Sequence, residues 1–145
     1  MKVAFACDHA GFALKEAVIA HLKEMGHEVV DFGCYTPERV DYPAQGEKAA
    51  RAVASGECAL GVLICGTGIG ISLAANRVHG IRAAVCSESY SAELTRRHND
   101  ANMIAFGARV VGEGTACAIL DAFFGAKFEG GRHAQRVAML DEIRP

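Results

Sequence analysis

Cys65 closes an apolar run that begins at Leu60 and opens directly into Gly66-Thr67-Gly68-Ile69-Gly70. The run reads as a buried strand, the glycines as a tight turn, and the residues from Ile69 onward as a short helix. A thiol so placed stands at the mouth of a loop whose backbone N–H groups and helix N-terminus attract an anion. The same positive field favours the thiolate, the reactive form of a cysteine side chain. The pattern points to chemistry on a phosphorylated or otherwise anionic small molecule. Two plainer readings stay open on these residues alone. Glycines also serve a strand-to-helix turn for purely conformational reasons, and cysteine is often a small buried apolar group.

The letters of the loop narrow the ligand. Ile71 follows Gly70, so GxGxG is present and the dinucleotide fingerprint GxGxxG is not, and no GK[ST] of a P-loop follows. Thr67 offers a hydroxyl to a developing oxyanion, or an ordinary helix cap. Asp8 and His9 follow an apolar run and pair an acid with an imidazole, suited to moving protons at a sugar hydroxyl or ring oxygen; Asp8 also reads as a helix cap. Tyr42, before Pro43, is either a ligand contact or a packing residue. His98 is a candidate general acid or a solvent-facing residue at a helix end. Arg132 and Arg136 are spaced to share one helix face, with Arg109 as a third cation. Guanidinium groups bind phosphate through directed, paired hydrogen bonds, although such arginines also occur on plain solvated faces.

The elements that must position these groups alternate along the chain. Strands are expected at Val3–Cys7, His27–Phe32, Leu60–Cys65, Ile81–Cys86 and Met103–Phe106. Helices are expected at Phe12–Met25, from Pro43 to Gly56, and over Ile69–Asn76, Ser89–Arg97, Gly112–Phe124 and Arg132–Leu140, with a glycine hinge at Glu129-Gly130-Gly131. Strands that are apolar throughout, alternating with helices, predict an α/β fold of three α/β/α layers. Its core is a Rossmann-like, five-stranded parallel sheet with helices on both faces. Ligands of such sheets bind beyond the carboxyl ends of the strands. Asp8, His9, Cys65 with its loop, Ser87, Glu88 and Arg109 converge there. His98 and Asn99 precede the fifth strand and fall at the opposite edge, so a second subunit is expected to supply them if they act at the same site.

The bulk composition sets limits. A chain of 145 residues fits one domain, residues 1–145, and can bury a core without staples. With 15 Lys+Arg against 17 Asp+Glu, nothing favours nucleic acid or an anionic membrane as partner. Cys7, Cys34, Cys58, Cys65, Cys86 and Cys117 form no CxxC pair or metal-ligand spacing, and read as free thiols in a reducing cytoplasm. Asp8 and His9 interrupt the N-terminal apolar run before a signal-peptide core is complete, and no segment reaches transmembrane length.

Taken in order, Cys7-Asp8-His9-Ala10-Gly11-Phe12, Asp41-Tyr42-Pro43, CGTGIGISLAANR from Cys65, GIRAAVCSE from Gly80, RHNDANMIAFGARVVG from Arg97 and GGRHAQRV from Gly130 resemble the ribose-5-phosphate isomerase B family almost from end to end. The resemblance implies reversible conversion of D-ribose 5-phosphate to D-ribulose 5-phosphate in the non-oxidative pentose phosphate pathway, without metal or organic cofactor. It implies Cys65 as the base that moves a proton between C1 and C2 through an enediolate, in a family where some members carry serine instead. Thr67 and the backbone of Gly66, Gly68, Ile69 and Gly70 would then stabilise the oxyanion.

The same resemblance gives His98 the opening of the furanose ring, with Asp8 and His9 assisting and with Asn99 and Tyr42 as further contacts. Arg109, Arg132 and Arg136 would hold the phosphate. It also implies a homodimer, or a dimer of dimers, with sites shared between subunits. Isomerisation of a six-carbon sugar phosphate, allose 6-phosphate or galactose 6-phosphate, is the nearest alternative. A non-catalytic phosphate-binding module and a thiol redox protein are the others.

Overall fold

The run that ends in the thiol is the middle of the sheet. The computed structural model describes residues 1–143. In chain order the elements are β1 (Lys2–Cys7), α1 (Phe12–Glu24), β2 (Glu28–Asp31), α2 (Tyr42–Ala54), β3 (Leu60–Cys65), α3 (Ile69–Ala75), β4 (Ala83–Val85), α4 (Ser89–Asn99), β5 (Met103–Gly107), α5 (Glu113–Gly125) and α6 (Arg132–Glu142). The five strands pair in parallel in the order β2-β1-β3-β5-β4. All six residues of β3 are buried, because helices cover both faces of a parallel sheet.

Alternation along each strand sorts the core into two layers. Val3, Phe5, Val62, Ile64, Ile104 and Phe106 face α1, α4 and α5, meeting Val18, Leu22, Ala92, Ile119, Leu120 and Phe123. Ala4, Ala6, Leu63, Cys65, Met103 and Ala105 face α2 and α3. That second layer is built largely from alanine, on the sheet and at Ala49, Ala50 and Ala52 of α2, so the helix lies close to the strands. Cys65 therefore belongs to the face that carries α2, and the N-terminus of α2 carries Tyr42.

The expected elements are all present, with shorter or longer ends. β4 begins at Ala83 rather than Ile81, because the Arg82 N–H is taken by the Asn102 side chain at 2.8 Å. Helix α4 runs two residues beyond Arg97, so His98 and Asn99 occupy its last turn. Asp100, with φ of 47°, ends it in the left-handed region. No helix among the described residues is long and apolar enough to cross a membrane.

The strand order reverses between β1 and β3, where the chain first builds outward through β2 and then returns to the other side of β1. At such a switch point the two loops leaving the strand ends diverge and leave a crevice. Asp8 follows β1 and Cys65 ends β3, with Cys7 in register with Ile64.

Candidate active site

That crevice is a cleft of about 260 Å³ lined by Asp8, His9, Ala10, Tyr42, Cys65, Gly66, Thr67, Gly70 and Arg109. Of the candidates that the sequence placed at this edge, Ser87, Glu88 and the loop residues Gly68 and Ile69 stand outside its lining. Ala10 is the residue that sequence reasoning missed, and its methyl group carried no chemical signal.

The loop is shaped by the end of β5. Gly68 has φ of +80°, and a Cβ there would stand 2.7 Å from the carbonyl carbon of Phe106. Only glycine tolerates both the left-handed backbone and the close approach. This geometry turns the Gly68 N–H onto the sulfur of Cys65, at 3.1 Å. The Ala108 N–H donates to Cys65 O at 2.9 Å and the Arg109 N–H to Gly66 O at 3.1 Å, stapling the following loop to the thiol. Gly68→Ala is expected to destabilise the fold by about 2 kcal/mol or more and to cost turnover at least about tenfold. Thermal melting and turnover assays check the two effects separately.

Cys65 is 4% exposed, yet its side chain opens on the cleft. The helix behind it, α3, has only seven residues, and the donor that meets the sulfur is the Gly68 N–H. Burial and the neighbouring Cys34 push Cys7 up to about 12, and burial together with Glu88 pushes Cys86 up to about 11. Neither of these lines the cleft.

Thr67 is exposed at the rim, and its Oγ1 accepts the Ile69 N–H at 3.2 Å, a turn contact two residues on rather than the expected helix cap, since Gly68 is the N-cap of α3 and makes no side-chain cap bond. That bond occupies an oxygen lone pair and leaves the hydroxyl proton free to donate. Asp8 is 6% exposed and accepts the Gly11 N–H on Oδ1 at 3.0 Å, which likewise shapes its turn and fixes the carboxylate at the cleft wall. His9 Nδ1 lies 3.2 Å from Val40 O and 3.3 Å from Val40 N, so the irregular segment before α2 is tied to the site. Tyr42 lies over the glycine loop: a Cβ on Gly70 would come within 2.8 Å of its ring. Arg109 is exposed, with its guanidinium against Gly66.

The remaining candidates lie elsewhere. His98 and Asn99 end α4, just before the N-terminal edge of β5 and therefore opposite the thiol. Arg132 and Arg136 are exposed on the first turns of α6, which packs on α4, and their charges act on His133. One chain thus carries two polar clusters. Cys65, Thr67, Asp8, His9, Tyr42 and Arg109 form the first, while His98, Arg132 and Arg136 form the second, with Asn99 nearby.

The second cluster contains two residues that the sequence reading did not single out, Glu129 and His133. Their spacing of four residues around the glycine hinge was the available signal. His98, Glu129 and His133 are the one metal-capable trio found among the described residues, with ligand atoms within 4.8 Å of one another. The two imidazoles stack nearly parallel, with an interplanar angle of 7°. In-plane lone pairs of parallel rings do not converge on a common ion, and Arg97 already holds the carboxylate at 2.5 Å.

Comparison with known proteins identifies the family. The sequence pattern of the family described as Ribose/Galactose Isomerase matches residues 3–140. The chain is 58% identical over 142 residues to ribose-5-phosphate isomerase B of Escherichia coli (strain K12), covering 98% of this chain and 95% of that one. It is 41% identical over 144 residues to the galactose-6-phosphate isomerase subunit LacB of Clostridium acetobutylicum, covering 99% of this chain and 83% of the relative. The solved structure of Clostridium thermocellum ribose-5-phosphate isomerase B superposes with a TM-score of 0.96 at 54% identity, covering 98% of this chain and 96% of that one. A crevice built around a cleft-facing thiol at the switch point of the sheet, in a chain matched from end to end by these enzymes, places it in the ribose/galactose isomerase family.

Proposed function

We propose that this protein interconverts D-ribose 5-phosphate and D-ribulose 5-phosphate, and that Cys65 is the base. The observation that carries the reading is the Cys65 sulfur, opening on a cleft with the Gly68 N–H at 3.1 Å and an acid, an imidazole, a phenol and a guanidinium around it. A proton α to a carbonyl is weakly acidic. Removing it requires a base, donors for the oxygen that becomes negative, and an anchor that aligns both.

The reaction runs in two stages. For ring opening, the C1 hydroxyl gives up its proton, the C1–O4 electron pair goes to O4, and O4 takes a proton from His98; Asp8, with His9, serves the C1 side. The aldehyde so released then loses its C2 proton to Cys65. Electrons move onto O1, where Thr67 and the N–H groups of Gly66, Gly68, Ile69 and Gly70 receive the charge. Return of the proton to C1, with transfer of the O2 proton, gives the ketose. Tyr42 and Asn99 contact the sugar, and Arg109, Arg132 and Arg136 hold the phosphate, so that binding energy remote from the reacting carbons fixes their position.

For this to happen at one place, the second cluster must come from another chain. We therefore take the working form to be a homodimer, or a dimer of dimers, with His98, Asn99, Arg132 and Arg136 of one protomer completing the cleft of the other. Support comes from their position at the opposite edge and from the exposed apolar side chains of Ile69, Leu73, Val85 and Tyr90 on α3, β4 and α4, which a second copy could cover. Six free thiols, two of them 3.9 Å apart, suit a reducing compartment such as the cytoplasm.

The similarity to a galactose-6-phosphate isomerase subunit supports a second reading, a six-carbon substrate. Turnover on ribose 5-phosphate and on allose 6-phosphate and galactose 6-phosphate decides between them. The five-carbon sugar is expected to be favoured by at least about tenfold in kcat/KM, the scale of one carbon's difference in a fitted pocket. A preference for either hexose phosphate would reassign the substrate.

A further inference from the structure

The second cluster contains more than the assigned reaction uses. His98 and His133 stack with ring centroids 4.2 Å apart. Glu129 lies beside both, its Oε2 3.7 Å from His98 Nε2 and 3.6 Å from His133 Nε2. Glu129 is itself fixed to α4, because its N–H donates to Arg97 O at 3.0 Å and its Oε1 takes the Arg97 guanidinium at 2.5 Å. One carboxylate oxygen is thus committed to the arginine, and the other is left facing the two imidazoles. His133 is buried at 8% exposure, while Arg132 and Arg136 on the same helix are exposed.

We propose that Glu129 and His133 are positioning residues for His98, holding its ring in one orientation with Nε2 turned toward the carboxylate. The proposal rests on the reading of His98 as the ring-opening acid. Stacking restricts the tilt of the His98 ring, and the carboxylate fixes its rotation by favouring the rotamer that points Nε2 toward Oε2. A proton-donating imidazole loses effectiveness quickly when its donor atom is misplaced.

Two stacked imidazoles do not readily carry two protons. Burial, followed by the charges of His98 and Arg132, holds His133 below the usual imidazole range. Arg97 and the two imidazoles keep Glu129 ionised, below the usual carboxylate range. Within α4, Glu93 pairs with Arg97 at 2.8 Å. On α5, Asp121 pairs with His21 at 2.7 Å, and Glu113 and Cys117 make no ion pair with His98 among the described residues.

The test separates ring opening from proton abstraction. Ribulose 5-phosphate has its C5 oxygen esterified and is acyclic, so exchange of its C1 proton with D2O reports the base alone. Net conversion of furanose ribose 5-phosphate needs the acid as well. Three variants, His133→Ala, His133→Phe and Glu129→Gln, are compared with His98→Asn after circular dichroism confirms their fold. His133→Ala is expected to lower conversion about tenfold while exchange stays within about twofold, and His133→Phe, which keeps a stacked ring, to recover most of the loss.

Glu129→Gln removes the charge that favours the protonated ring, so activity that depends on the acid should fail at lower pH. The alkaline limb of the conversion profile is expected to move down by about half a unit or more. Equal losses of exchange and conversion in His133→Ala, or an unmoved limb in Glu129→Gln, would overturn the proposal. His98→Asn serves as the control. Were it to impair exchange as strongly as conversion, the assignment of His98 would fail and this proposal with it. A selective His98→Asn beside normal His133 and Glu129 variants would reject the positioning roles alone.

Discussion

Cys65→Ala is expected to lower the isomerisation of ribose 5-phosphate by about a thousandfold or more while leaving the fold intact. Among the cleft residues the thiol is the group that meets the loop N–H while lining the cleft proposed to take the sugar. Alanine keeps the strand, and its methyl group retains part of the packing against the α2 face. The damage should therefore appear in kcat rather than in substrate affinity, because Arg109 and the other proposed holders of the phosphate end are left in place. Coupled measurement of ribulose 5-phosphate formation, with substrate binding followed by calorimetry, makes the comparison. Near-normal turnover would remove Cys65 from the role of base.

Mixing two inactive variants should restore activity. In a protein with sites shared between two copies, a heterodimer of Cys65→Ala and His98→Asn chains holds one site with both defects and one with neither. Random reassortment makes half of the dimers hybrids, so about a quarter of wild-type activity is expected above the residual of each parent. The parents must first be dissociated and refolded together, and the same treatment of each alone is the reference. A site complete within one chain predicts no gain at all. That outcome would return His98, Asn99, Arg132 and Arg136 to structural roles and leave Arg109 as the cleft's own anion-binding side chain.

Much of this was legible in the sequence because the two-sided burial of a parallel sheet writes itself as unbroken apolar runs. Leu60–Cys65 is read to the residue, and Asp8, His9, Cys65 and Arg109 follow from the rule that loops beyond strand ends meet at one edge. The ends of elements were less clear. Ile81 and Arg82 look like strand, but Arg82 is drawn out of the ladder by its ties to Asn102, Asp100 and Asp141, none of which has a local signature. His98 and Asn99 extend α4 because Asp100 adopts the left-handed conformation that stops it, a choice a non-glycine residue does not announce.

The largest gap lay in the second cluster. Arg132 and Arg136 were visible as a pair, but their separation from Arg109 within one chain depends on where α6 packs. So does the stacking of His133 on His98, which joins residues far apart in the chain through the docking of α6 on α4. Local patterns locate the strands that deliver groups to an edge. They do not reveal which surface helices meet, since that is decided by side chains brought together only after folding.

Proton NMR of ribose 5-phosphate with the purified protein, in D2O containing EDTA, follows both the isomerisation and the fate of the C2 proton. Ribulose 5-phosphate, with loss of the C2 proton signal, is expected in the presence of the chelator, and neither change with Cys65→Ala. Ribose 5-phosphate left unchanged with its C2 proton retained, or the same product formed by Cys65→Ala at the wild-type rate, would contradict the proposed mechanism.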